Sequence, residues 1–206
     1  MIKLIFFNTN KLLILTIAFL ASLSSFGQES KLINIFVDKN EGISAYNFLN
    51  EVRTNPESFD AIFPFLKVSN ISSEKLIWNE TLALVAQRKA FDMADKNYLD
   101  HVDPFGYGIN YYINKAGYKL ISAFLKNKKD NNFESLGAGY DNGISAIKEL
   151  IIDKGVPSLG HRKHLLGIGD FWSSTKDVGI GFVRSKNGSS YSTYLCVIIA
   201  KHDWGN

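Results

Sequence analysis

Residues 177–202, DVGIGFVRSKNGSSYSTYLCVIIAKH, carry the clearest strand signals in the chain. Both ends of this stretch are rich in β-branched and aromatic residues, and SKNGSS lies between them. Asn187-Gly188 is a strong signal for the turn of a β-hairpin. Gly179 and Gly181 predict that another element approaches the first strand closely, because glycine leaves room for a neighbouring backbone. We therefore expect an antiparallel pair of strands at the C-terminus.

The segments before this hairpin have helical periodicity instead. Apolar spacing predicts helices over about 41–53, 80–97, 109–116 and 143–152. Asn79 is a good N-cap for the longest of them, and Leu82 and Met93 belong to its apolar stripe. Helices followed by a hairpin indicate the α+β class, in which helices cover an antiparallel sheet.

The N-terminus has the features of an export signal. Lys3 and Lys11 give it positive charge, residues 12–20 are apolar, and small residues precede Gln28. The apolar run is shorter than the roughly 20 residues that span a bilayer. We expect a signal peptide over 1–27, a linker over 28–40 and one domain over 41–206. The protein would then be secreted, either to the extracellular space or to a periplasm.

Charge and cysteine content exclude some classes of function. Without Lys3 and Lys11, Lys+Arg falls from 23 to 21 against 20 Asp+Glu, so the net charge falls from +3 to +1. A nearly neutral chain gives no basis for nucleic-acid binding. We also expect the protein to be a monomer. Cys196 is the only cysteine. Neither an intrachain disulfide nor a four-cysteine zinc site can form, so any metal ligands would be His and carboxylate.

Three segments carry polar side chains where predicted elements end. They are YLDHVDPFGYG with His101 and Asp103, NNFESLGAGY with Glu134, and PSLGHRKHLLG with His161 and His164, shortly after Asp153. His161 and His164 would share a face of a helix. Each segment alone is compatible with metal binding, with acid–base chemistry and with simple exposure to solvent.

Taken together, the motifs resemble those of a known family. LNEVR, WNETLALVAQRKAFDMA, His101, ESLGAG, GHRKHLL and DVGIGF follow one another as in the CAP superfamily, also called the SCP domain. That superfamily includes cysteine-rich secretory proteins, antigen 5 and plant pathogenesis-related proteins. The resemblance covers Ser44 to His202 and is to the bacterial branch, which has a GHR motif and no family disulfides. It implies a three-layer α-β-α sandwich with a central antiparallel sheet and an open cleft.

The resemblance also implies which residues line the cleft, which in this family holds two His and two acidic residues. His101 matches the first His, His161 matches the His of GHR, and Glu134 matches the Glu of an EN motif. Asp153 matches the second acid, although the Trp that usually precedes it is absent.

Two further positions depart from the family pattern. Ser135 replaces the Asn of the EN motif. His164 stands where bacterial relatives often carry Asn, and we expect it either behind the residues that contact a ligand or at the rim of the cleft.

Two imidazoles and two carboxylates suit a divalent cation, zinc above all, with His101, His161 and Glu134 as the expected ligands. The favoured function is a binding module for such a cation, or for a small molecule, a lipid, or a component of the cell envelope or exterior. A hydrolase acting on a substrate outside the cytoplasm is the alternative, either metal-assisted or through acid–base chemistry of His and Glu. Ser135 and Ser158 lack the elbow motif of a nucleophile. A structural or interaction domain is the third class, so the sequence leaves open whether the protein is an enzyme.

Overall fold

The computed structural model describes residues 34–186, 188–201 and 203. The predicted signal peptide, residues 28–33 of the predicted linker, His202 and residues 204–206 lie outside these residues. The described α-helices are α1 (Lys39–Thr54), α2 (Glu80–Lys96), α3 (Ile109–Lys115), α4 (Gly143–Ile152), α5 (Gly160–Leu166) and α6 (Asp170–Ser173). Single turns of 3-10 helix cover Pro56–Phe59, Pro64–Val68 and Ser122–Leu125. The strands are β1 (Ile35–Val37), β2 (Ile77–Trp78), β3 (Glu134–Ala138), β4 (Asp177–Ser185) and β5 (Thr193–Ala200).

β4 and β5 form the predicted hairpin and lie at the centre of a five-stranded sheet in this part of the chain. They pair antiparallel, from Asp177 opposite Ala200 to Arg184 opposite Thr193. β1 lies beside β4 and β3 lies beside β5, both antiparallel. These four strands confirm the antiparallel sheet, whereas β2 runs parallel to β4. Asn187, the first of the two predicted turn residues, lies outside the described residues.

Helices cover both faces of this sheet, because successive side chains of a strand point to opposite faces. Val178 and Ile180 of β4 pack with α1, α4 and α5. Cys196 and Ile198 of β5 pack with α2 and α3 on the other face. The expected three-layer α-β-α sandwich is confirmed. Within the described residues, no helix is both long enough and apolar enough to cross a membrane.

The long helix α2 follows its prediction closely. Asn79 caps it, because its Oδ1 accepts a hydrogen bond from the backbone nitrogen of Leu82 at 3.1 Å. Leu82 and Met93 are fully buried. A Cβ on Gly179 would lie 2.1 Å from the backbone nitrogen of Ala83, so only glycine allows α2 to lie this close to β4. The predicted close approach is confirmed.

Three strands lie in segments where the sequence predicted none, and the short β2 is one of them. β3 contains Glu134, Ser135 and Gly137, which have low strand propensity. It is a strand because it pairs with β5 along its whole length. Residues 35–37 belong to the predicted linker but form β1, and α1 begins at Lys39. The folded domain therefore starts before residue 41.

Candidate functional site

His101 and Glu134 form the first of two polar pairs. Glu134 begins β3, and His101 lies in the loop after α2. The Nδ1 atom of His101 lies 2.9 Å from Oε1 of Glu134. The Glu134 side chain is 0% exposed, whereas that of His101 is 44% exposed. The carboxylate is therefore buried against the Nδ1 side of the ring, and Nε2 remains free of it.

The chemistry of this pair assigns its proton to Nδ1 of His101. Asn131 Nδ2 also lies 2.8 Å from Nδ1, but one ring nitrogen cannot both donate to Glu134 and accept from Asn131. A buried carboxylate requires donors. The second contact of Glu134 is the thiol of Cys196, a weak donor 3.5 Å from Oε2. The Nδ1–H of His101 therefore donates to Glu134, which leaves the lone pair of the neutral imidazole on Nε2.

Lys89 of α2 holds the loop that carries His101. This lysine is only 6% exposed. Its Nζ donates to the carbonyl oxygens of Asp100 at 2.7 Å and of His101 at 3.3 Å, and to the hydroxyl of Tyr98 at 3.3 Å. We did not predict this contact from the sequence. Lys89 follows Val85 by four residues and so falls on the apolar stripe of α2, and a charged residue at such a position could have indicated a buried role.

His161 and Asp153 form the second pair. Nδ1 of His161 lies 2.8 Å from Oδ1 of Asp153. Oδ2 of Asp153 accepts from the backbone nitrogens of His161 at 3.0 Å and Arg162 at 3.2 Å. Asp153 thereby caps α5, whose own N-cap residue Leu159 makes no side-chain cap. The Asp153 side chain is 1% exposed and that of His161 is 27% exposed. Here too the buried carboxylate contacts Nδ1 of the ring and does not contact Nε2.

Arg162 fixes α5 against the end of α4. Its Nε donates to the carbonyl oxygen of Ile151 at 2.8 Å, and its guanidinium also bonds the carbonyl oxygen of Ile152. The guanidinium carbon lies 3.7 Å from the ring centre of Phe65, a cation–π contact. The arginine of the GHR motif therefore holds the backbone that orients His161.

His164 does not lie at a rim, so that one of its two expected positions is wrong. Its ring is 2% exposed, 4.8 Å from the ring of Trp172. Nδ1 lies 2.7 Å from the hydroxyl of Ser135. The backbone of Ile199 lies beside the ring, but Nε2 makes no hydrogen bond of good geometry. Burial lowers the pKa of His164 to about 3, so this ring is neutral and structural.

The four predicted cleft residues thus form two His–carboxylate pairs. In the described part of the chain, no three His, Cys, Asp or Glu side chains are grouped to hold a metal ion. Glu134 was expected to be a ligand beside His101 and His161, but its carboxylate is buried against the other ring nitrogen of His101. Asp103, the remaining acidic candidate, accepts from the backbone nitrogens of Phe105 and Tyr107 and so closes a turn.

Two solved bacterial structures are similar to this chain. An outer surface protein from Borrelia burgdorferi is 16% identical, with 81% of this chain and 97% of that chain covered and a TM-score of 0.50. An extracellular protein containing an SCP domain from Bacillus anthracis is 22% identical, with a TM-score of 0.42. That match covers 71% of this chain but only 40% of the Bacillus chain. No curated protein matches the sequence.

The family comparison covers most of the chain. The model of the cysteine-rich secretory protein family, CAP, matches residues 46–199. The matched range includes both His–carboxylate pairs and the central hairpin of the sheet. The chain belongs to the cysteine-rich secretory protein (CAP) family.

Proposed function

We propose that this protein is an exported binding module that takes up a divalent cation, zinc in particular, through Nε2 of His101 and Nε2 of His161. One observation carries the proposal: in each pair a buried carboxylate engages Nδ1 of a partly exposed imidazole. Histidines that ligate metals usually donate their other ring N–H to a carboxylate or a carbonyl. Both rings of this protein have that arrangement.

One contact links an element of each pair, which supports a single site. Burial lowers the pKa of His164 most, and positive charge on His161, Arg53 and His101 acts in the same direction. Ser135 follows Glu134 directly on β3 and contacts His164, which is three residues after His161 on α5. β3 and α5 are thereby tied together, and each carries one member of a pair.

The donor set fits an exchangeable ion. Catalytic zinc usually has three protein ligands and structural zinc has four, whereas two imidazoles leave several positions for water or a small ligand. A bound cation would supply a positive charge that attracts an oxygen of such a ligand. His101 and His161 would hold the ion, and Glu134 and Asp153 would orient their rings and raise their basicity.

A hydrolase with a serine nucleophile gains no support from the geometry. Ser135 is the serine that contacts a histidine, but it is 1% exposed and its partner is the buried ring of His164. A nucleophile must reach its substrate. We therefore develop the binding function. A structural or interaction domain remains one outcome of the test below.

Export is part of the proposal. It rests on the positive start, the apolar run and the small residues before Gln28. The Borrelia protein of similar fold is described as an outer surface protein, which agrees with a location outside the cytoplasm.

Isothermal titration with zinc tests the binding function. His101→Ala and His161→Ala should each weaken zinc binding by more than about tenfold, because each removes one of two ligands. Glu134→Gln should weaken it by about tenfold, because the amide still accepts from Nδ1 but no longer raises the basicity of the ring. Affinity should also be lower at acidic pH, since a ligating imidazole must be deprotonated.

Asp95→Asn is the matched control, because it removes an exposed carboxylate of α2. It should bind zinc like the wild type. Wild-type affinity in both His variants would contradict the proposal, provided that thermal melts show them folded. Absence of zinc binding by the wild-type protein would do the same and would favour an interaction domain.

A further inference from the structure

A cavity of about 390 Å³ lies outside the two His–carboxylate pairs. It is bounded by α2, by the loop of residues 98–105 and by α3, and none of its lining residues belongs to either pair. Its volume falls in the range of about 300–1,000 Å³ that small-molecule sites occupy. The proposed function does not use this cavity.

Part of the lining is apolar and unusually exposed. Leu84 is 63% exposed and Phe105 is 67% exposed. Val85, Ile109 and Ala116 also line the cavity. Large exposed apolar side chains that line one concave surface mark a binding site more often than a random surface does. A ligand with an apolar body would remove this surface from water.

The carboxylates of the cavity are already engaged by the protein. Oδ2 of Asp92 accepts from the hydroxyl of Tyr98 at 2.8 Å, and Asp92 also pairs with Lys96. Asp103 accepts from the hydroxyl of Tyr112 and from two backbone nitrogens. Neither carboxylate has a free oxygen directed to a ligand cation.

The cations of the cavity are in excess. Arg88, Lys89, Lys96 and Lys115 stand against Asp92 and Asp103, so four positive and two negative side chains give a net charge of +2. Lys89 donates hydrogen bonds to the loop that carries His101, and Lys96 forms an ion pair with Asp92. Among the described residues, Arg88 and Lys115 form no ion pair, and Lys115 lies only over the ring of Tyr111. An anionic group of a ligand would find these two cations available.

We infer that this cavity binds a small molecule with an aromatic or similarly compact apolar body and one anionic group. The apolar body would lie against Leu84 and Phe105. The anionic group would pair with Arg88, whose planar guanidinium can bind a carboxylate through two parallel hydrogen bonds. The excess positive charge disfavours cationic ligands of the same shape.

A matched pair of probes tests the inference. Naphthalene-2-carboxylate and naphthalen-2-ylmethylammonium share one aromatic body and differ in the sign of their charge. Isothermal titration of the purified protein should show saturable binding of the carboxylate with one site per chain. The ammonium probe should bind at least about fivefold more weakly, which corresponds to a single exposed charge pair.

Variants assign the binding to this cavity. Arg88→Gln and Leu84→Ser should each weaken carboxylate binding by about fivefold or more, because one removes the charge and the other the apolar surface. Both positions are exposed, so both variants should fold. Lys75→Gln, which removes an exposed lysine outside the cavity, should leave binding unchanged. Equal affinity for the two probes, no saturable binding, or wild-type affinity in both cavity variants would overturn the inference.

Discussion

At the scale of single residues, His164 is the clearest departure from an ordinary histidine. Its ring is out of water, and a protonated imidazole there would be a buried charge beside other cations. Burial lowers its pKa to about 3, and the charges of His161 and Arg53 act in the same direction. The unfolded chain takes up a proton near the ordinary value of about 6.5. Below that pH the unfolded state therefore binds more protons than the folded state.

This difference predicts acid sensitivity. The free energy of unfolding should fall as the pH is lowered from about 6.5 towards 3, by at most about 1.4 kcal/mol per pH unit for this one proton. His164→Asn keeps a polar partner for Ser135 but cannot be protonated, so its stability should change less with pH. Urea melts of both proteins between about pH 6.5 and pH 5 measure the two slopes. Parallel slopes would show that His164 is not the group responsible.

The members of the two His–carboxylate pairs could be predicted from motifs, but the residues that hold them in place could not. His101, Glu134, Asp153 and His161 each stand in a sequence pattern that the family resemblance matches. Lys89 carries no such pattern, because its role depends on where the chain turns after α2. The contact between Ser135 and His164 depends on the packing of β3 against α5. Because the two residues are far apart in the sequence, no local pattern predicts this contact.

At the scale of elements, α2 shows how much a periodic pattern can predict. Leu82 and Leu84 lie two positions apart, so they point to different sides of the helix. Leu82 is 0% exposed and Leu84 is 63% exposed. One residue type on one helix therefore occupies both environments.

Leu82→Ala should lower the free energy of unfolding by about 2–5 kcal/mol, because it leaves a cavity against the sheet. Leu84→Ala is the matched control and should change it by no more than about 0.5 kcal/mol. Thermal or urea melts of the two variants make the comparison. Similar losses in both variants would mean that the buried face of α2 has been assigned wrongly.

β3 shows the limit of local patterns. Its residues Glu134–Ala138 include two polar side chains and a glycine, so propensity argues against a strand. Pairing with β5 supplies the missing backbone hydrogen bonds. A strand held by its partner rather than by its own sequence is visible only once the sheet is known.

At the scale of the whole molecule, the layers follow from the order of the elements. Helices followed by an apolar hairpin predicted a sheet covered by helices, and the packing of β4 and β5 confirms it. The site needs more than this order. Glu134 comes from an edge strand, Asp153 from the left-handed end of α4 and His161 from the short helix α5. How these residues lie relative to one another depends on the tertiary fold.

The proposed zinc site requires that His101 and His161 present Nε2 to one cation while the carboxylates of Glu134 and Asp153 engage Nδ1. Long-range proton–nitrogen correlation spectra of the histidine rings, recorded during zinc titration, test it most directly. We expect the Nε2 signals of His101 and His161 to shift together, both Nδ1 atoms to stay protonated, and His164 to show no ligation. A shift of only one ring, ligation through Nδ1, or spectra unchanged by zinc would contradict it.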